Sequence, residues 1–431
     1  MIIFEQISIF RMKLFPLLFF LFLSPFFCLA QIEEEVPAPA YIKTVQFRGN
    51  TPQSQLPLIR LGETLRLNFD DIIGDEADYY YTIEHYNVDW SPSVLAKTEY
   101  MEGFDDVRIF EYTNSVSTLQ LYTHYELVIP NKNTRALTKT GNYMLKIFNS
   151  KDELIFSRKF MIYSPLVSVG VEVLRSRDLN SIDKMQVVNF KVDSGDMLLI
   201  SPDKTLNALI IQNNNLKNTI SGVKPQYIIG NVLEYRYDEE TSFYGGNEFL
   251  NFENKDIRAS TNTIQYIELK KLYHNYLYIV PTRANKPYTY NPDINGNFLI
   301  TTLQGNDPDS EAEYAWIHFG LEHPELPKGE DVYIYGNFNN YVIEDAVKMR
   351  FNNKEGIYEL PLLLKQGFYN YYFVVANNGE ILEQNPISGD FWQTENEYDV
   401  LIYYKEPGGR YDKLIGVGSA LSTNISNVRR N

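Results

Sequence analysis

Apolar residues recur in short runs along this 431-residue chain, alternating with polar neighbours and broken by Gly, Pro, Asn and Ser. No long stretch carries the i, i+3, i+4 spacing of an amphipathic helix, so the pattern predicts strands. The first group comprises Ile42 to Phe47, Leu65 to Phe69, Tyr79 to His85, Tyr122 to Ile129, Tyr143 to Phe148 and Leu154 to Tyr163. Asn149-Ser150-Lys151-Asp152 joins the last two as a hairpin turn. Strands at this density predict an immunoglobulin-like sandwich over residues 41–164.

Ser164-Pro165 marks the first expected boundary. Beyond it Val167 to Leu174, Gln186 to Val192, Leu206 to Gln212, Tyr227 to Tyr237, Thr263 to Ile267 and Phe298 to Leu303 predict a second sandwich over 165–309. The acidic, apolar-poor stretch Asn306 to Ala312 supplies the next boundary. A third sandwich is expected over 310–418, from Ala315 to Gly320 through Tyr369 to Val375 and Tyr398 to Tyr404, with Asn378-Gly379 as a two-residue hairpin turn. The expected fold class is therefore all-β, three consecutive immunoglobulin-like sandwiches. The acidic, Pro-containing lead over 31–40 is expected to be mobile and the polar tail over 419–431 disordered.

The N-terminus changes the compartment. Arg11 and Lys13 precede the apolar run Leu14 to Leu23, and Cys28-Leu29-Ala30 offers a small-residue cleavage site. This predicts a secretory signal peptide over 1–30, with Met1 and Met12 both open as starts. The wider apolar stretch Leu14 to Ala30 falls short of the ~20 residues of a spanning helix and is interrupted by Pro16 and Pro25. Phe26 and Phe27 are bulkier than a lipidation site at Cys28 tolerates. Cys28 is the only cysteine, so the mature chain has no disulfide and must rely on a large core, which a 44% hydrophobic composition supplies. The formal charge is −16; loss of Glu5, Arg11 and Lys13 with the leader removes a net +1 and leaves −17. That balance repels phosphate backbones and anionic headgroups, which argues against nucleic acid or direct lipid insertion.

Candidate chemistry is sparse. The five histidines, at 85, 124, 274, 318 and 323, include no zincin spacing. Asn291 to Asn297 has oxygen ligands and Gly296 but lacks the carboxylate spacing and closing Glu of a calcium loop, and reads as an Asx/Gly turn. There is no G-x-S-x-G elbow and no phosphate loop. A glycosidase needs only two well-placed carboxylates, and nothing in the sequence singles out such a pair. Catalytic, metal and cofactor assignments are accordingly none. Trp316, in an alternating apolar run, reads as core. Trp90, Trp392 in its loop-like setting and His124 on an alternating strand are the candidate partner-contact residues.

The stretch from Asp78 to Phe148, beginning DYYYTIEHYNVDW, resembles the first domain of the type IX secretion system plug protein family of Bacteroidetes-type bacteria. The resemblance continues through Phe243-Tyr244-Gly245-Gly246-Asn247-Glu248-Phe249, Pro287 to Gly296, LLLKQGFYNYYFVV from Leu362 to Val375, and Thr394 to Gly416. It implies a periplasmic, non-enzymatic plug at the opening of a very large outer-membrane β-barrel translocon, reached peripherally through that partner. Within the third expected domain, VYIYGNFNNY resembles early-set immunoglobulin modules that bind glycogen, with Tyr341 where those modules commonly place a tryptophan. Periplasmic glycan binding, and behind it a glycosidase, stand as the alternatives.

Overall fold

The computed structural model describes residues 32–49 and 55–425. The expected signal peptide, Cys28 and residues 426–431 of the tail lie outside the described residues. The chain is all-β, as its alternating pattern predicts, and its sheets pair into sandwiches.

In the N-terminal sandwich one sheet runs Ile42–Gly49, Leu65–Asp71, Thr123–Ile129, Glu111–Asn114. The facing sheet runs Leu58–Arg60, Leu154–Tyr163, Gly141–Asn149, Tyr79–Tyr86, Val107–Arg108. Period-two alternation drives the layers together. In Tyr79–Tyr86 the side chains of Tyr79, Tyr81 and Ile83 are buried, while Tyr80, Thr82 and Glu84 are partly exposed. Phe69 stacks on Tyr125 at 5.1 Å and meets Tyr79 and Phe156 edge-on, the ring geometry that aromatic quadrupoles favour.

The remaining strands do not follow the expected consecutive order. Glu397–Tyr404 pairs with Leu206–Gln212, from Leu206↔Tyr404 to Gln212↔Tyr398, and Lys413–Leu421 pairs onto it. That register buries Ala208, Ile210, Val400 and Ile402 in one core with Phe190 and Tyr235 of the opposing sheet. The middle sandwich is thus built from two separated stretches of chain. Between them the strands from Leu250–Glu253 to Glu380–Ile381 form an inserted sandwich. The boundary expected near 309 is overturned for a related reason. Tyr273–Leu277 pairs in parallel with Tyr314–Glu322 across it, and Ile317, Phe319, Phe252 and Tyr371 share a core. The acidic stretch there is a single helical turn, Pro308–Glu311, capped by the Asp307 side chain, which accepts from the Asp309 N–H.

The described parts of the lead, from residue 32, and of the tail, to residue 425, are more ordered than the sequence suggests. Residues 419–421 complete the last strand, with Ser419 opposite Asp399. The lead is pinned where Val36 N–H donates to Ser157 Oγ (2.8 Å) and Ser157 N–H returns to Val36 O (3.0 Å). Trp316 is not core: it lies between Ala315 and Ile317, which point inward, and is left half-buried on the outer face.

Every pair of sandwiches is in contact. Leu56, Met161, Leu209, Leu401 and Tyr403 cluster between the N-terminal and middle sandwiches, where Tyr403 Oη donates to Asn142 Oδ1 at 2.6 Å. Asn215 Nδ2 of the middle sandwich donates to Tyr335 Oη of the inserted one at 3.0 Å. Gly245, in the crossing between them, approaches so closely that a Cβ there would lie 2.1 Å from Phe391 O. The third contact joins the N-terminal and inserted sandwiches through buried charge.

Candidate functional site

The strand Leu65–Asp71 turns Leu65, Leu67 and Phe69 into its own core, so Asn68 and Asp70 face outward. The inserted sandwich covers that outer face and leaves Asp70 fully buried. Its carboxylate accepts from Lys365 Nζ (2.8 Å), Tyr314 Oη (2.7 Å) and His124 Nδ1 (2.6 Å). Lys365 Nζ also donates to Asp309 O at 2.7 Å and lies 4.1 Å from the Tyr122 ring centroid. Tyr122 Oη in turn donates to Ala312 O at 2.9 Å. Burial pushes the Asp70 carboxyl up; the neighbouring Lys365 charge and the His124 bond outweigh it and hold it below the ordinary carboxylate value.

His124 is therefore not the surface contact residue expected from strand alternation. It is 6% exposed, on Asp70 through one ring nitrogen and 4.0 Å from Asp309 Oδ2 through the other. Both faces of its strand are covered, one by the sandwich core and one by the neighbouring body. Trp90 sits at φ +61° in the turn after Asn87, half-buried, with Lys159 Nζ 4.6 Å from its ring centroid. Trp392 is also half-buried, its ring 4.5 Å from the Arg175 guanidinium and its carbonyl accepting from Gln186 Nε2 at 2.7 Å. The three residues lie on different parts of the assembly and form no common site.

Sequence reading missed Asp70, Tyr314 and Lys365. One signal was available: Lys365-Gln366 interrupts the apolar run LLLKQGF, a costly placement unless a buried partner waits for the charge. Nothing local pointed to Asp70 as that partner.

A cavity of about 330 Å³ opens between the middle and inserted sandwiches, lined by Gln212, Asn213, Gly246, Tyr335, Tyr372 and Asp390 among others. Burial pushes the Asp390 carboxyl up to about 6. Asp293 nearby is pushed up to about 7, chiefly by burial, with its oxygens taken by the N–H groups of Phe249 (2.6 Å) and Asn295 (2.7 Å). The Asn291 to Asn297 loop thus turns its carboxylate onto backbone N–H groups, one its own and one at Phe249. Gly296, at φ +82°, is required there because a Cβ would meet Tyr341 Oη at 2.5 Å and the Phe249 ring at 2.8 Å. On the outer face of the inserted sandwich His274 and His318 share a 2.9 Å nitrogen contact, and Tyr276 stacks on His318 at 4.0 Å. Burial pushes His318 down to about 4, with His274 adding to the shift, so this pair is neutral at pH 7. Among the described residues, no group of three or more His, Cys, Asp or Glu side chains is placed to hold a metal ion.

Comparison with known proteins agrees with this architecture. Residues 42–164 match the type 9 secretion system plug protein 1st domain family. A crystal structure of a hypothetical protein from Parabacteroides merdae is 31% identical, with a TM-score of 0.85 over 90% of this chain and 98% of that one. The biofilm-associated protein BSP domain, at 8% identity and TM-score 0.17, covers 91% of this chain and 61% of that one. The partial N-terminal region of an enterococcal surface protein, at 8% and 0.20, covers 91% and 98%. Both superpose too loosely to inform the fold. No curated protein matches the chain. The family match spans the N-terminal sandwich that carries Asp70 and His124, and the Parabacteroides structure extends the likeness over nearly the whole chain: this protein belongs to the type IX secretion system plug protein family.

Proposed function

We propose that this protein closes the periplasmic opening of the very large outer-membrane β-barrel translocon of type IX secretion. It acts by occlusion and not by turnover, resides in the periplasm, and meets the outer membrane only through its partner. The observation that carries this reading is the family match over 42–164. Barrels of that size enclose an aqueous lumen, so a folded body seated at the mouth is a physically sensible seal. The contacts among all three sandwiches support the role, because a seal must not hinge open under thermal motion. Among the described residues no helix is long and apolar enough to cross a membrane.

Release requires an interface of moderate size and polar character. Trp90 and Trp392, half-buried with an exposed edge, remain the proposed contact residues, and His124 does not. Glycan binding draws no support from Tyr341, which is 5% exposed with its hydroxyl facing Asn213 O and Asn295 O. A buried ring offers no face on which a sugar can stack.

The test is affinity capture of the tagged mature chain from gently solubilised outer membranes of its host, followed by mass spectrometry. Recovery of a very large β-barrel protein in near-equal amount is the expected result. Recovery of only glycan or small periplasmic proteins would overturn the proposal.

A further inference from the structure

The mature chain carries a large negative charge, yet cations from separate parts of the fold converge on one groove. Arg48 comes from the first strand, Arg158 and Lys159 from Leu154–Tyr163, and Lys217 from the middle sandwich. Asn340 of the inserted sandwich completes the rim. The groove is not empty: the acidic lead lies across it.

Glu35 accepts from the Lys159 N–H and from Asn340 Nδ2, both at 2.6 Å. Glu34 Oε2 lies 3.1 Å from Lys159 Nζ and 3.4 Å from Lys217 Nζ. Glu33 pairs with Lys146 and accepts from Tyr86 Oη. Three of these contacts are carboxylate on cation, Glu33 on Lys146 and Glu34 on Lys159 and Lys217, and the Glu34 side chain is 64% exposed. Ion pairs that open to water contribute little each, so the strap is exchangeable.

The strap also leaves two guanidinium groups without an ion pair in direct contact among the described residues: Glu35 acts on Arg158, and Asp309 on Arg48, only from beyond that distance. Arg158 is 9% exposed, and its one hydrogen bond among the described residues runs from Nη1 to the adjacent Ser157 carbonyl. Arg48 has no ion pair among the described residues. Both line a remaining cavity of about 50 Å³, room for a carboxylate or a few waters. A guanidinium buried without a carboxylate in direct contact is costly, and its planar fork suits a bidentate acid.

We infer that this groove is a receptor site for an acidic peptide segment of a partner protein, held filled by the chain's own Glu33–Glu35 as a built-in competitor. The incoming segment displaces the strap, takes over Lys159 and Lys217, and sets a further carboxylate between Arg48 and Arg158. The inference stands independently of the translocon reading, since it concerns only charge and shape on this chain.

The test uses the full mature chain and a fluorescein-labelled decapeptide of Asp and Glu, with a Gln decapeptide as control, read by fluorescence anisotropy at low salt. If the strap fills the groove nine-tenths of the time, the Glu33→Gln/Glu34→Gln/Glu35→Gln variant should bind the acidic probe about tenfold tighter than wild type. Adding Arg158→Met, or Arg48→Met where the former fails to fold by thermal melt, should reverse that gain. Equal binding by wild type and the strap variant would overturn the inference, as would a gain that survives the arginine replacement.

Discussion

Replacing Lys365 by methionine isolates what the buried seam contributes. The change keeps most of the side-chain volume and removes the ammonium. Asp70 is then left fully buried with only the Tyr314 hydroxyl and His124 as partners. At the 2.8 Å separation of Lys365 Nζ and Asp70 Oδ2, the gross attraction is about 6 kcal/mol at an effective dielectric of about 20. Desolvation of both charges offsets most of it, but that offset is not recovered when one partner is deleted. The expected loss is therefore about 3–5 kcal/mol, the cost of stranding a buried charge. Asp70→Asn in the Lys365→Met background removes the stranded charge, so the double variant should recover part of the loss, with a coupling of about 2–3 kcal/mol. Urea unfolding followed by fluorescence measures the cycle, and amide exchange localises it: the turn Pro308–Glu311 and the strand Thr123–Ile129 should lose protection first. A single-variant loss under about 1 kcal/mol, or strict additivity of the two changes, would refute the reasoning.

The same node fixes an acid response. Because the folded Asp70 carboxyl is held below its unfolded value, its contribution is complete above about pH 4 and is lost as pH falls through the folded pKa. Lys365→Met should flatten that acid limb.

Other changes probe the remaining contacts. Asp293, at about 7 when folded, binds a proton that the unfolded chain has already released above about pH 4. Its contribution to stability should fall by about 1.4 kcal/mol per pH unit between those values and level off above. Asp293→Asn should remove that slope in urea midpoints measured from pH 4 to 8. Tyr403→Phe leaves the fully buried Asn142 Oδ1 without its 2.6 Å donor, and should cost about 1–3 kcal/mol by the same unfolding assay. Gly245→Ala drives a Cβ into Phe391 O and should lower the thermal midpoint sharply, whereas Gly170→Ala, with open space around it, should stay within about 0.5 kcal/mol of wild type.

How much of this was legible in the sequence depends on how far apart the cooperating residues lie. Alternation in Tyr79–Tyr86 and Thr123–Ile129 is a local property, so the strands could be read directly. Pairing is not local. Nothing near Tyr398 says that its partner is Gln212 and not a strand of the preceding sandwich, and the acidic stretch at 306–312 has the composition of a linker while serving as a packed turn. The same applies to charge. Glu33–Glu35 read as a solvated, mobile run because the cations that hold them, Lys146, Lys159 and Lys217, come from distant strands. His124 looked outward-facing by the correct rule, and the inserted sandwich then covered the face it points to.

That insertion bears on the proposed role. Consecutive sandwiches joined by single linkers would swing about each linker, and an occluding body built that way would leak at its joints. Here the chain crosses between the middle and inserted sandwiches twice, once through Gly245-Gly246 and once through the segment at Trp392 to Asn396. The two crossings are bonded to each other: Asn396 Nδ2 donates to Gly245 O at 2.9 Å, and Phe391 N–H donates to Gly246 O at 2.7 Å. The Asp70–Lys365 pair fixes the inserted sandwich to the N-terminal one on another side. A burial cost spent on charge at such a seam yields orientation more than stability, since an apolar contact of equal area would tolerate sliding while a lysine held by Asp70, Asp309 O and the Tyr122 ring accepts one geometry. Geometry is what a plug has to keep.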